Sequence, residues 1–329
     1  MKVLFVSGAG CGRYIKEGLA LQDLGHDVVF LTNRFVDDSF YPFMNCVSFY
    51  ERRNLKSKLQ YFQDFDIVHV HSEPFNLGWY VKQFYPDIPV IYDLHDSDFI
   101  RFGRANEDEL KSYSECDGFV FPAKMYENIL VNEMNLEQPT THIYNKALPE
   151  LLTLIQMPRI GGVAYAGGLY GETMPHRDYR ELAVWFFENG IPFHLHFGKT
   201  KFAKIYSHTG ALMYAPKKHF ELMNMLTRYD WGLAASPNDK HPDRQWLTTT
   251  AHKFFEYAAM GLPVLTWGDC EMSDIVKETG CGLVLENREE LLDRYMECAD
   301  IRERLLSSDR TQFTMQGEGE RLVEFYEKF

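Results

Sequence analysis

Residues 2–13, KVLFVSGAGCGR, hold the pattern that decides the fold. KVLFVS is a short continuous apolar run and reads as a buried strand. Gly8, Gly10 and Gly12 follow as G-x-G-x-G, then a helical segment through about 14–24, and Gly25-His26-Asp27 leads into a second strand, VVFLT at 28–32. Strand, glycine turn, helix and strand make the βαβ unit of a parallel sheet. Glycines there let the backbone approach a ligand closely, and the helix start offers free N–H groups to negative charge. A tight turn without any ligand accounts for a single such loop equally well. Thr32-Asn33-Arg34 closes the second strand where a dinucleotide site would place an acidic residue, so a nicotinamide enzyme is disfavoured.

Strands of the same kind recur along the chain. DIVHVH at 66–71 is one, its polar residues marking where it leaves the core; VIYDLH at 90–95 and DGFVFP at 117–122 are others, with a polar helix at about 123–134. HIYN at 142–145 closes the first half. Between Leu148 and Gly162 the pattern breaks at Pro149 and Pro158, which reads as a linker. The opening then returns about 160 residues after its first appearance: VAYA at 163–166, Gly167-Gly168, a helix through 179–189 and the strand IPFHLHFG. WGLAA at 231–235, PVLT at 263–266 and GLVL at 282–285 continue the series. The expectation is an α/β protein of two Rossmann-like, doubly wound domains whose glycine loops face each other across a cleft. The boundaries read as 1–150, 151–310, and a C-terminal helix at 311–329 packing back on the first domain.

The totals agree with two domains. A chain of 329 residues exceeds the size at which single cores stop growing. Its net charge is −13, with 14 Lys and Arg against 22 Asp and Glu in residues 1–150, and 20 against 25 in the rest. No basic domain is present to grip nucleic acid through its phosphates. The cysteines, Cys11, Cys46, Cys116, Cys270, Cys281 and Cys298, form no CxxC pair and read as reduced thiols, which suits the cytoplasm. The apolar run after Met1 is too short for a leader or a membrane span. A soluble protein, at most peripheral to a membrane, is expected.

The chemistry concentrates in the second half. Arg177, Lys199 and Lys201 lie near Gly167-Gly168, where they could neutralise a diphosphate or simply solvate the surface. The most specific passage is KFFEYAAMGLPV at 253–264: a helix carrying Lys253 and Glu256, closed by Gly261, with Pro263 opening a buried strand. A carboxylate so placed can accept hydrogen bonds from both hydroxyls of a ribose. The passage resembles the donor-site helix of GT-B glycosyltransferases, in particular the retaining enzymes of family four. In that family, the residue matching Glu256 binds the ribose of a nucleotide-sugar. The order of the other segments is similar too: GHDVVFLT, DFDIVHVHS, PVIYDLHD, DGFVFP, YNKALP, VAYAGGL and YDWGLAASP. The resemblance covers essentially the whole chain. Thr248 stands where the family commonly has a second Glu, and Leu169-Tyr170 stands where its Arg follows the glycines.

The resemblance implies a donor-binding set of Gly10, Gly12, Gly167, Gly168, Arg177, Lys199, Lys253 and Glu256, with UDP among the nucleotides. It makes His95 and the adjacent Asp96 the candidate catalytic residues, His95 facing the transferred sugar. Asp96-Ser97-Asp98 is a D-x-D string, but this fold uses helix ends and basic side chains at the phosphates, so neither a metal nor a cofactor is expected. The implied reaction moves a sugar from a nucleoside diphosphate to an acceptor hydroxyl with retention, in polysaccharide or glycoconjugate synthesis on a glycan, a lipid-linked glycan or another acceptor. Residues 49–62, FYERRNLKSKLQYF, set Arg52, Arg53, Lys56 and Lys58 among aromatics. They suit a docking surface for anionic lipid or for phosphodiesters, and equally a solvated helix face. Two other readings stand beside the first: glucosylation of a hydroxymethylated DNA base, and a non-catalytic two-domain ligand-binding protein.

Overall fold

The computed structural model describes residues 1–8, 12–32, 46–48, 51–72, 74–169, 175–197, 203–239 and 244–329; the side chains of 46–48, 51–54, 175 and 203 lie outside that description. The chain divides into two compact units, Met1–Asn145 with Met315–Phe329, and Lys146–Thr314.

The first unit is built on a parallel sheet of β1 (Lys2–Ser7), β2 (Asp27–Thr32), β3 (Cys46–Ser48), β4 (Ile67–His71), β5 (Val90–Asp93), β6 (Gly118–Phe121) and β7 (Thr140–His142). Their order is β3-β2-β1-β4-β5-β6-β7. The reversal of direction between β1 and β4 is the switch point of a doubly wound sheet, where such folds place their ligands at the carboxyl ends of the strands. Both faces of the sheet are covered, which is why β1 is apolar without alternation. Leu4, Val6, Val68, Val70, Val90 and Tyr92 pack on one side. Val3, Phe5, Ile67 and Ile91 pack on the other, with Tyr14 and Ile15 of the helix Gly12–Asp23 and Leu322 and Phe325 of the helix Gln316–Tyr326.

That second face turns polar toward the carboxyl ends, where Ile67 is followed by His69 and His71, and Ile91 by Asp93. All three are fully buried. The sequence reading, in which the polar residues of β4 mark its exit from the core, is therefore corrected: every residue of β4 is buried. Polar character at 69 and 71 reflects a charged cluster inside the unit, not solvent.

The second unit repeats the plan with β8 (Val163–Gly167), β9 (Phe193–Phe197), β10 (Leu212–Tyr214), β11 (Trp231–Leu233), β12 (Val264–Trp267) and β13 (Gly282–Leu285). The order β10-β9-β8-β11-β12-β13 is again parallel and switches direction beside its first strand. The helix His252–Ala259 precedes β12. Gly261, at φ 81°, turns the chain out of that helix, and an added Cβ would stand 2.4 Å from Leu306 Cδ2.

Candidate functional site

In the second unit, five of the expected donor-site residues come together at the carboxyl end of β8. Gly167 is its last residue, and a Cβ there would lie 3.2 Å from Lys253 Nζ. The absence of a side chain thus makes room for the ammonium beside the loop. Lys253 Nζ sits 3.5 Å above the Tyr165 ring and 5.8 Å from that of Trp246. Burial, and then the neighbouring Arg177, hold this ammonium well below the usual lysine range, against a smaller opposing pull from Glu256. No ion pair with a carboxylate holds Lys253 among the described residues. A cation kept dry beside another cation is one that an anion would stabilise. Glu256 lies one helical turn further along, three residues on and hence on the same face. It is 6% exposed, with His219 Nε2 3.7 Å from its Oε1. Gly168 contributes its carbonyl, which accepts from the Tyr165 hydroxyl at 3.1 Å. Lys199 and Lys201 lie outside the described residues. Thr248 is buried and gives its hydroxyl to the Arg244 carbonyl at 3.0 Å, closing its own short helix.

In the first unit, His95 follows β5, half-buried, with Nδ1 3.3 Å from Asp93 Oδ1. The carboxylate in reach of His95 is thus Asp93, a residue the sequence reading left unassigned. Asp96 pairs with Arg101. Ser97 caps the helix Asp98–Phe102, its Oγ accepting from the Ile100 N–H at 3.3 Å, and Asp98 accepts from Asn106 at 2.7 Å. The D-x-D string is therefore a helix start. Burial by itself would raise the Asp93 carboxyl, but Arg13 and the surrounding imidazoles outweigh it and hold the group well below the usual carboxylate range. Gly12 opens the helix that carries Arg13, whereas Gly10 lies outside the described residues. Arg52 and Arg53 fall in the helix Glu51–Leu59 with undescribed side chains; Lys56 is exposed and Lys58 partly so.

Residues 10–146 match the family model Glycosyltransferase Family 4. The fold agrees along the full length. HepE from Anabaena, solved in complex with UDP, superposes with a TM-score of 0.70 at 13% identity, covering 100% of each chain. A sucrose-phosphate synthase from Thermosynechococcus elongatus gives 0.68 at 13% identity, over 100% of this chain and 99% of that one. The chain has the GT-B fold, with the family match confined to residues 10–146. The GT-B frame is shared more widely. A UDP-GlcNAc 2-epimerase from Methanocaldococcus jannaschii gives 0.56 at 12% identity, with 100% of both chains covered. No curated protein matches the sequence significantly.

Several residues of this GT-B chain escaped sequence reasoning. His219 contacts Glu256 from a helix whose sequence distance, 37 residues, carries no signal. Tyr165 looks like one more apolar residue of β8, though its ring forms the floor under Lys253. Arg13 and Glu17 sit at i and i+4 on the first helix, a pairing visible in principle; its burial depended on knowing that His69, His71 and Asp93 lie opposite.

Proposed function

We propose that the chain transfers a sugar from a nucleoside diphosphate, UDP in the first instance, to an acceptor hydroxyl with retention of configuration, in polysaccharide or glycoconjugate synthesis. The observation that carries this reading is the meeting of Gly167, Arg177, Lys253 and Glu256 at the carboxyl end of β8. Lys253 and Arg177 supply positive charge where a diphosphate leaving group develops its negative charge, and a dry site makes each such contact worth more than in water. Glu256 offers its carboxylate to the two ribose hydroxyls. Gly10, Gly12 and Lys199 belong to the donor site in the same reading. His95, oriented by Asp93, lines the place of the transferred sugar, with Asp96 beside it. HepE has been solved with both UDP and UDP-glucose, which supports UDP as the nucleotide to try first.

The epimerase likeness shows why the fold alone does not choose the reaction. The test is to incubate the purified protein with a panel of UDP-sugars and candidate acceptors, following free UDP and the sugar by NMR. The expected result is acceptor-dependent UDP release with the donor's anomeric configuration kept in the product. An epimerised donor with no acceptor consumed, or an inverted linkage, would contradict it.

A further inference from the structure

The interior of the first unit holds a group of side chains of which the transfer reaction, as read above, uses only Asp93, through its contact with His95. Glu17, from the helix Gly12–Asp23, meets His69 and His71 of β4 and Asp93 of β5, all fully buried. One ligand atom from each lies within 4.8 Å of the other three. His69 Nε2 is 3.7 Å from Glu17 Oε2 and 3.6 Å from Asp93 Oδ2. His71 Nε2 is 3.5 Å from Glu17 Oε2, and its Nδ1 is 3.9 Å from Asp93 Oδ2. These gaps are too wide for N–H···O hydrogen bonds, which run to about 3.2 Å. They are close to the roughly 3.4 Å that separates ligand atoms around a tetrahedral ion with bonds of about 2.0–2.1 Å.

The hydrogen-bond inventory supports an occupant. Neither ring nitrogen of His71, nor Nε2 of His69, has a hydrogen-bond partner among the described residues. Buried imidazole nitrogens are normally satisfied, and leaving one bare is costly. His69 Nδ1 meets the Tyr326 hydroxyl at 2.5 Å. An Nδ1–H donating there leaves Nε2 as a lone pair aimed at the two carboxylates, which is how outer partners orient a metal-bound histidine. Arg13 brings a cation to the cluster. Its Nε donates to Asp93 at 2.8 Å, its NH1 to the Ile143 carbonyl at 2.6 Å and to Asn145 at 3.1 Å, its NH2 pairs with Glu17 at 2.9 Å. It contacts both carboxylates.

We propose that Glu17, His69, His71 and Asp93 bind one divalent transition-metal ion of the Zn²⁺ type. Two imidazoles and two carboxylates form a donor set that suits such an ion. A proton held by one imidazole is the rival occupant, and it would draw that ring to within hydrogen-bond distance of a carboxylate. The ion would tie the first helix to two central strands and, through His69 and Tyr326, to the last helix. It would also fix Asp93, whose other oxygen contacts His95, so its role here is structural and positioning.

The test uses the whole chain. Metal content is measured on protein purified without added metal, followed by titration of chelator-treated protein with Zn²⁺ against a chromophoric chelator, and with Co²⁺. One equivalent is expected, with Co²⁺ giving intense visible bands of tetrahedral coordination and no thiolate charge-transfer band. His71→Asn should weaken Zn²⁺ binding by at least about 100-fold, given that loss of even an outer partner costs 10- to 100-fold. X-ray absorption on the unmodified protein provides a readout that does not depend on a variant folding: nitrogen and oxygen neighbours with imidazole outer-shell scattering. Failure of the unmodified protein to take up either ion, sulfur among the neighbours, or a folded His71→Asn protein that binds as tightly as the parent would each overturn the site.

Discussion

Lys253 owes its depressed basicity to burial and to Arg177, and the negative charge of a diphosphate lying against it would oppose both. Replacing it with Met keeps the bulk over Tyr165 and removes the charge. Lys253→Met should cost about 1.5–3 kcal/mol of UDP binding, the range for a hydrogen bond to a charged group, and leave uridine binding unchanged. Isothermal titration with the two ligands separates the phosphate contribution from the nucleoside. His95 belongs to a different step. Its contact with Asp93 fixes the ring, so His95→Ala should lower turnover by roughly 100-fold, the low end for a positioned acid–base or polar group, with UDP affinity retained. Equal activity of mutant and parent on the true acceptor would return His95 to a structural role. At this scale the sequence singled out Lys253 and Glu256 through the passage KFFEYAAMGLPV and its resemblance to a donor-site helix. It was silent on Asp93 and His219, whose relevance is purely spatial.

At the scale of elements, the strands were the most legible parts. A parallel strand covered on both faces must be continuously apolar, and KVLFVS, VAYA and PVLT declare themselves that way. The short edge strands β3 and β10 went unread, since an edge strand of three residues has little to distinguish it from a loop. The same logic that made strands legible misled at β4: polar residues near a strand end usually meet water, but here they meet Glu17 and Arg13. β9 carries a comparable pair in the second unit, His194 and His196, lying against Tyr214 and Tyr229. Burial lowers each to a pKa of about 4. The unfolded chain takes up these protons near pH 6.5 and the folded one only near 4, so the stability they permit is complete above about 6.5 and is lost as pH falls toward 4. For His196 the slope in that window is at most about 1.4 kcal/mol per pH unit. Thermal melts from pH 7 to pH 4 should show a decline in melting temperature that the double variant His194→Asn, His196→Asn lessens. Parallel curves for variant and parent would remove the two histidines from the acid response.

Over the whole molecule, acidity is the rule and the helix Glu51–Leu59 the exception. No described helix is long and apolar enough to cross a membrane. If this helix docks the chain on an anionic surface, exposed Lys56 and partly exposed Lys58 should contribute, by about 1 kcal/mol per basic residue near such a membrane. Sedimentation with vesicles rich in anionic lipid should then show binding that weakens from low to physiological salt, where charges beyond about 8 Å are screened. Replacing Arg52, Arg53, Lys56 and Lys58 with Gln should abolish it. Unaltered sedimentation and activity would leave the helix as a solvated face. Two α/β units were readable in advance because the strand–glycine–helix opening occurs twice. The acceptor was not, because acceptor recognition in such folds rests on loops that carry no repeating pattern.

Binding of a nucleoside diphosphate by the second unit, through Lys253 and Glu256, underlies the proposed transfer. It is tested most directly by titrating the purified chain with UDP, GDP and ADP in a calorimeter, with Glu256→Ala alongside. Saturable one-to-one binding of one of them, UDP first, is expected, weakened by about 1.5–3 kcal/mol in a correctly folded Glu256→Ala protein. No binding of any of the three by the folded parent, or equal affinity in the variant, would contradict it.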